Sequence, residues 1–129
     1  MPDKKTILIV EDEPNIRDIL QTMLSQAGYN VLQAEDAETG KQTALEKHPD
    51  LMLLDIIMPR VDGLTMLKEL REVDAWSKTV PVIILSSLDD PGSLDEAGKC
   101  DCQGYIVKTD LTSSVILPRI QEVLSRSKT

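Results

Sequence analysis

The run Leu51-Met52-Leu53-Leu54-Asp55 limits what this chain can become more than any other stretch. Four apolar residues with no polar alternation end in one carboxylate, and Pro59 stops the segment after Ile56-Ile57-Met58. A half-exposed strand would alternate, so the pattern predicts a strand covered on both faces that ends in an exposed Asp55, where the sheet hands over to a loop. Thr6-Ile7-Leu8-Ile9-Val10 repeats the pattern and runs into Glu11-Asp12-Glu13, while Val80-Pro81-Val82-Ile83-Ile84-Leu85 runs into Ser86-Ser87.

The stretches between these strands carry helical signals. Pro14 suits a first helical turn, and Ile16, Ile19, Leu20, Met23, Leu24 and Ala27 recur at helical spacing before Gly28, which predicts one buried stripe. Tyr29 to Ala34 reads as a short second strand. Asp36 can cap a helix from Ala37 to about Lys47, which His48-Pro49-Asp50 breaks. Beyond the turn Pro59-Arg60-Val61-Asp62-Gly63, a third helix is expected on Leu64, Met66, Leu67 and Leu70. Trp76 falls in the connection after it, as a half-buried packing residue.

Ser93-Leu94-Asp95-Glu96 has capping-box spacing for a short fourth helix that Gly98 weakens. Tyr105-Ile106-Val107 is the fifth strand, ended by Lys108. The last helix is expected from about Thr112 to Ser125, with Val115, Ile116, Ile120, Val123 and Leu124 inward and a kink at Pro118.

Five strands alternating with five helices predict a doubly wound α/β domain: a parallel sheet covered on both faces, with right-handed crossovers. The 129 residues fit one domain, with its core at about 5–125 and a polar tail over 125–129. In such a sheet the site lies at the carboxyl ends of the strands, where the strand order reverses. Glu11, Asp12, Asp55, Ser86 and Lys108 would meet there. Three carboxylates on one rim repel unless a cation sits among them, and hard oxygen donors with room for water suit Mg²⁺. Asp55 could then act as a nucleophile towards a phosphoryl group, with Lys108 neutralising charge and Ser86 donating a hydrogen bond.

Fourteen basic against 22 acidic residues give a net charge of -8, which disfavours nonspecific binding to nucleic acid or an anionic membrane. No segment approaches the ~20 apolar residues of a membrane span, and Met1-Pro2-Asp3-Lys4-Lys5 leads into a strand, so a cytoplasmic location is expected. Cys100 and Cys102, without nearby His or further Cys, read as free reduced thiols. His48 beside Pro49 reads as an exposed turn residue.

Taken together, Ile9-Val10-Glu11-Asp12-Glu13-Pro14, Leu53-Leu54-Asp55-Ile56-Ile57-Met58-Pro59 with Asp62-Gly63, Pro81-Val82-Ile83-Ile84-Leu85-Ser86 and Tyr105-Ile106-Val107-Lys108 resemble a response-regulator receiver domain. The resemblance covers essentially the whole chain. It implies the flavodoxin-like, CheY-like strand order 2-1-3-4-5 and makes Asp55 the acceptor of a phosphoryl group from a histidine kinase or histidine phosphotransfer protein. It makes Asp12 a direct Mg²⁺ ligand, Glu11 a ligand through water, and the Ile57 carbonyl a further ligand beside Asp55. Ser86 and Lys108 would bind the phosphoryl group. Ser86 and Tyr105 would switch, re-shaping the face of the fourth helix, fifth strand and fifth helix for a downstream protein, an output domain or a phosphorylation-dependent dimer. Two departures bear on that face: Thr109 follows Lys108 where the family usually has Pro, and Cys100-Asp101-Cys102 replaces an Ala-Gly-Ala-like turn.

Particular residues separate the chain from other classes. A haloacid-dehalogenase-type phosphatase needs a second Asp two residues after its nucleophile, and Ile57 stands there. A flavodoxin-like cofactor binder would not carry three acids after its first strand, where they repel a phosphate. A degenerate receiver acting without phosphorylation is the remaining alternative, against which Glu11, Asp12, Asp55, Ser86 and Lys108 all argue. The expected role is a controlled binding module, not an enzyme.

Overall fold

The computed structural model describes residues 5–55, 63–73, 75–86, 104–107 and 112–126. The strands are β1 (Thr6–Val10), β2 (Asn30–Ala34), β3 (Leu51–Asp55), β4 (Val82–Ser86) and β5 (Gly104–Val107), and they form one sheet in the order β2-β1-β3-β4-β5. Every neighbouring pair is parallel. The helices are α1 (Pro14–Gln26), α2 (Ala37–Lys47), α3 (Gly63–Arg71), α4 (Ala75–Thr79) and α5 (Ser113–Arg126).

Period-two alternation along each strand divides the core. Leu8, Val10, Met52, Leu54, Val82 and Ile84 face one side of the sheet, with Ala37 and Ala44 of α2 and Met66, Leu67 and Leu70 of α3. Ile7, Ile9, Leu51, Leu53, Ile83, Leu85 and Ile106 face the other, with Leu20 and Leu24 of α1 and Ile116, Ile120, Val123 and Leu124 of α5. The unbroken apolar runs are thus two interleaved stripes, each with its own helical layer. Burying one such side chain is worth about 1.5–3 kcal/mol.

Local chemistry sets the element ends. The Asp36 side chain accepts from the Thr39 amide at 2.7 Å and starts α2. His48 ends that helix in the left-handed region, with φ of 48°, and donates its amide to the Ala44 carbonyl at 2.9 Å. The Asp50 amide donates to the Thr6 carbonyl and the Asp50 side chain accepts from the Thr6 amide, each at 2.7 Å, tying the start of β3 to β1. Arg71 Nη1 donates to the carbonyls of Ser77 at 3.0 Å and Val80 at 2.6 Å, holding the chain between α3 and β4.

Several sequence expectations are corrected. Ile19 is 50% exposed and Val115 is 38% exposed, where both were expected inward. Each lies one residue, about 100° of helical rotation, before a fully buried residue, Leu20 or Ile116, and so falls off the edge of the arc that meets the sheet. Ala27 is the exposed C-cap of α1 and not part of its stripe. Trp76 lies on α4, a helix of 5 residues where a plain connection was expected. Its ring stacks on His48 with centroids 4.3 Å apart and planes 11° from parallel, which joins the end of α2 to α4. The helix expected at Ser93, together with Gly98, Cys100, Asp101 and Cys102, lies outside the described residues.

Candidate functional site

Strand register brings the acidic residues together. Val10 pairs with Leu54, so the next residue of each strand, Glu11 and Asp55, stand side by side at the carboxyl edge between β1 and β3. This is the place where the chain leaves β1 towards β2 on one side while β3 lies on the other, the crevice that open α/β sheets use for ligands. Asp55 in turn pairs with Leu85, and Ser86 with Val107, which carries the same edge across to β5.

Carboxylate oxygens of Glu11, Asp12 and Asp55, one from each residue, all lie within 4.8 Å of one another. Glu11 is fully buried and Asp12 is partly exposed; Asp55, which the sequence predicts to be exposed, is only 1% exposed, because it is still within β3 and paired with Leu85 of β4. Gathering three acids, two of them out of water, is costly unless a cation neutralises them. Their oxygen-only donor set and the half-open Asp12 side fit a hard divalent ion that keeps part of its hydration.

The loop bearing Glu11 and Asp12 is tied down at several points. The Glu11 amide donates to the Ala34 carbonyl at 3.1 Å, fixing the loop to the end of β2. Glu11 Oε1 accepts from the Glu13 amide at 3.2 Å. Glu13 is the N-cap residue of α1 and its own side chain makes no cap hydrogen bond. From α1, Arg17 Nη1 donates to the Glu11 carbonyl at 2.9 Å and, more weakly, to the Asp12 carbonyl at 3.4 Å.

Of the other sequence-predicted residues, Ser86 closes β4 and Tyr105 lies in β5, its backbone paired with Ile84. Lys108 and Ile57 lie outside the described residues, as does Thr109. Sequence reading missed Arg17. Its signal was composition: it is the sole Lys or Arg between Lys5 and Lys41, placed just after the acidic triplet.

A parallel sheet in this order, with helices packed on both faces, defines the flavodoxin-like class of α/β domains. Within that class, a model of the response regulator receiver domain matches residues 7–119. The chain belongs to this family, the receiver domains of two-component signalling systems. It is 37% identical over 123 residues to a probable transcriptional regulator, ycf27, of Porphyridium aerugineum, covering 95% of this chain and 49% of that protein. Among solved structures, a putative response regulator from Chloroflexus aurantiacus superposes with a TM-score of 0.89 at 27% identity, covering 96% of this chain and all of that one. The chemotaxis protein CheY4 of Vibrio cholerae gives 0.86 at 26% identity, covering 94% and 99% respectively. The chain spans about half the length of the curated relatives it matches.

Proposed function

We propose that this receiver accepts a phosphoryl group on Asp55 from a histidine kinase or phosphotransfer protein, in a Mg²⁺-dependent reaction. The observation that carries the proposal is the gathering of Glu11, Asp12 and Asp55 oxygens within 4.8 Å at the crevice of a receiver fold. An Asp55 carboxylate oxygen attacks the phosphorus of a phosphoimidazole; the new P–O bond forms as the P–N bond breaks. The imidazole nitrogen leaves with the electron pair and is protonated from solvent.

Glu11, Asp12, Asp55 and the carbonyl of Ile57 would hold the ion. When bound, Mg²⁺ supplies charge neutralisation for the carboxylates and the phosphoryl oxygens. Ser86 and Lys108 donate to the phosphoryl oxygens, and burial of Asp55 keeps the nucleophile in one orientation. Ser86 pairs with Val107 in β5, so a movement at the site has a direct backbone route to Tyr105 and the face around β5 and α5. That face, in this reading, controls a protein target, a second copy or an output module. The description of longer relatives as transcriptional regulators supports an output that acts on DNA, through a part other than the receiver.

Intact mass after incubation with acetyl phosphate and Mg²⁺ tests the reading. One added phosphoryl group that disappears in Asp55→Ala supports it, and no adduct in the wild type refutes it.

A further inference from the structure

The geometry points to Arg17 as a positioning residue that holds Glu11 and Asp12 in their metal-accepting arrangement; this rests on the Mg²⁺-dependent reading above. The cluster needs two conditions, a fixed backbone under Glu11 and Asp12 and a local positive charge that lets three acids approach. Arg17 supplies both. Its Nη1 reaches the main-chain carbonyls of Glu11 and Asp12 at 2.9 and 3.4 Å, and a guanidinium is planar and always charged, so one group can serve both acceptors.

Both bonds go to carbonyl oxygens, so Arg17 does not compete with an ion for the carboxylates. Arg17 is itself half-buried, so its charge acts with less screening than an exposed cation would have. Its own position is fixed, because it stands in the first turns of α1 with its amide donating to the Glu13 carbonyl at 3.1 Å. The helix that starts at Pro14 thus reaches back to brace the loop that precedes it.

Outer-shell partners of this kind change metal affinity by about 10- to 100-fold when removed. The test is calorimetric titration of the protein with MgCl₂, set beside the melting temperature measured without metal. Arg17→Ala is expected to weaken Mg²⁺ binding by about tenfold. Arg17→Lys, which keeps the charge but not the planar guanidinium, should fall between, and Arg17→Gln, which keeps a donor without charge, should lie near Ala. With acetyl phosphate, saturating Mg²⁺ should restore the Arg17→Ala phosphorylation rate to the wild-type maximum, since only ion binding is impaired. Wild-type affinity in all three variants overturns the role of Arg17 alone. A maximal rate that stays low at saturating Mg²⁺ also overturns it, because the effect would then not be on the ion. Absence of saturable Mg²⁺ binding by the wild type overturns the metal reading itself and this inference with it. If Arg17→Ala does not fold, Arg17→Lys and Arg17→Gln carry the same comparison.

Discussion

Gly40 is where α2 comes closest to the sheet, and replacing it with Ala should destabilise the protein although Ala is the better helix former. An added Cβ would lie 2.8 Å from Val10 Cγ2, 2.9 Å from Cγ1 and 3.4 Å from Cβ. Ordinary carbon contacts lie at about 3.5–4.0 Å, so roughly 0.6 Å or more must be found. Val10 cannot yield it: the residue is fully buried, stiff at χ1, and paired with Ala34 on one side and Leu54 on the other. The helix must retreat instead. Overpacking costs about 1–3 kcal/mol, and the gain in helix propensity offsets about 1 kcal/mol of that. A net loss of up to about 2 kcal/mol is expected in urea unfolding.

Removing the obstacle should relieve the clash. In a Val10→Ala background both offending methyls are gone, and Gly40→Ala should become neutral or stabilising. The double-mutant cycle should therefore show a coupling of about 1–3 kcal/mol, the overpacking cost itself. An equal cost in both backgrounds would refute the steric account. Because Val10 immediately precedes Glu11, the single Gly40→Ala variant should also weaken Mg²⁺ binding, and Val10→Ala/Gly40→Ala should recover part of it.

Further expectations concern ion, pH and stacking. Mg²⁺ at about ten times its dissociation constant should stabilise the folded protein by roughly 1.4 kcal/mol, read as a rise in melting temperature that Asp55→Ala reduces; an unchanged melting temperature in millimolar Mg²⁺ would count against the ion site. Burial pushes the Tyr29 phenol above its ordinary value of 10.0. Its contribution to stability is therefore complete below that value and is lost as pH rises through the higher folded-state value, so Tyr29→Phe should flatten the alkaline limb of a stability profile. The stack of His48 on Trp76 should contribute about 0.5–1.5 kcal/mol, with His48→Ala lowering stability and changing Trp76 fluorescence; unaltered emission would mean the rings do not stack in solution.

The strands were legible because burial on both faces leaves no alternative to an apolar run, and a run of that kind ends where a polar residue first appears. Leu51–Asp55 and Thr6–Val10 therefore agree with the sequence reading residue for residue. Helix faces were legible only to within the width of an arc. The repeat at three and four residues includes Ile19 and Val115, but only the distance to the sheet decides which edge of the arc is covered. The 5 residues of α4 are too few to show a helical period at all.

What the sequence determined by itself was the fold class and the residue types at the strand ends, since both follow from local patterns of burial and polarity along one chain. That Glu11, Asp12 and Asp55 gather at one edge was legible from the fold class; the register and the distance at which they meet were decided by the tertiary structure. The parallel register of Val10 with Leu54 sets Glu11 beside Asp55, although 44 positions separate them in the chain. The same holds for the brace from Arg17 and for the tight seat of Gly40 on Val10. Each depends on the distance between elements that local pattern does not encode.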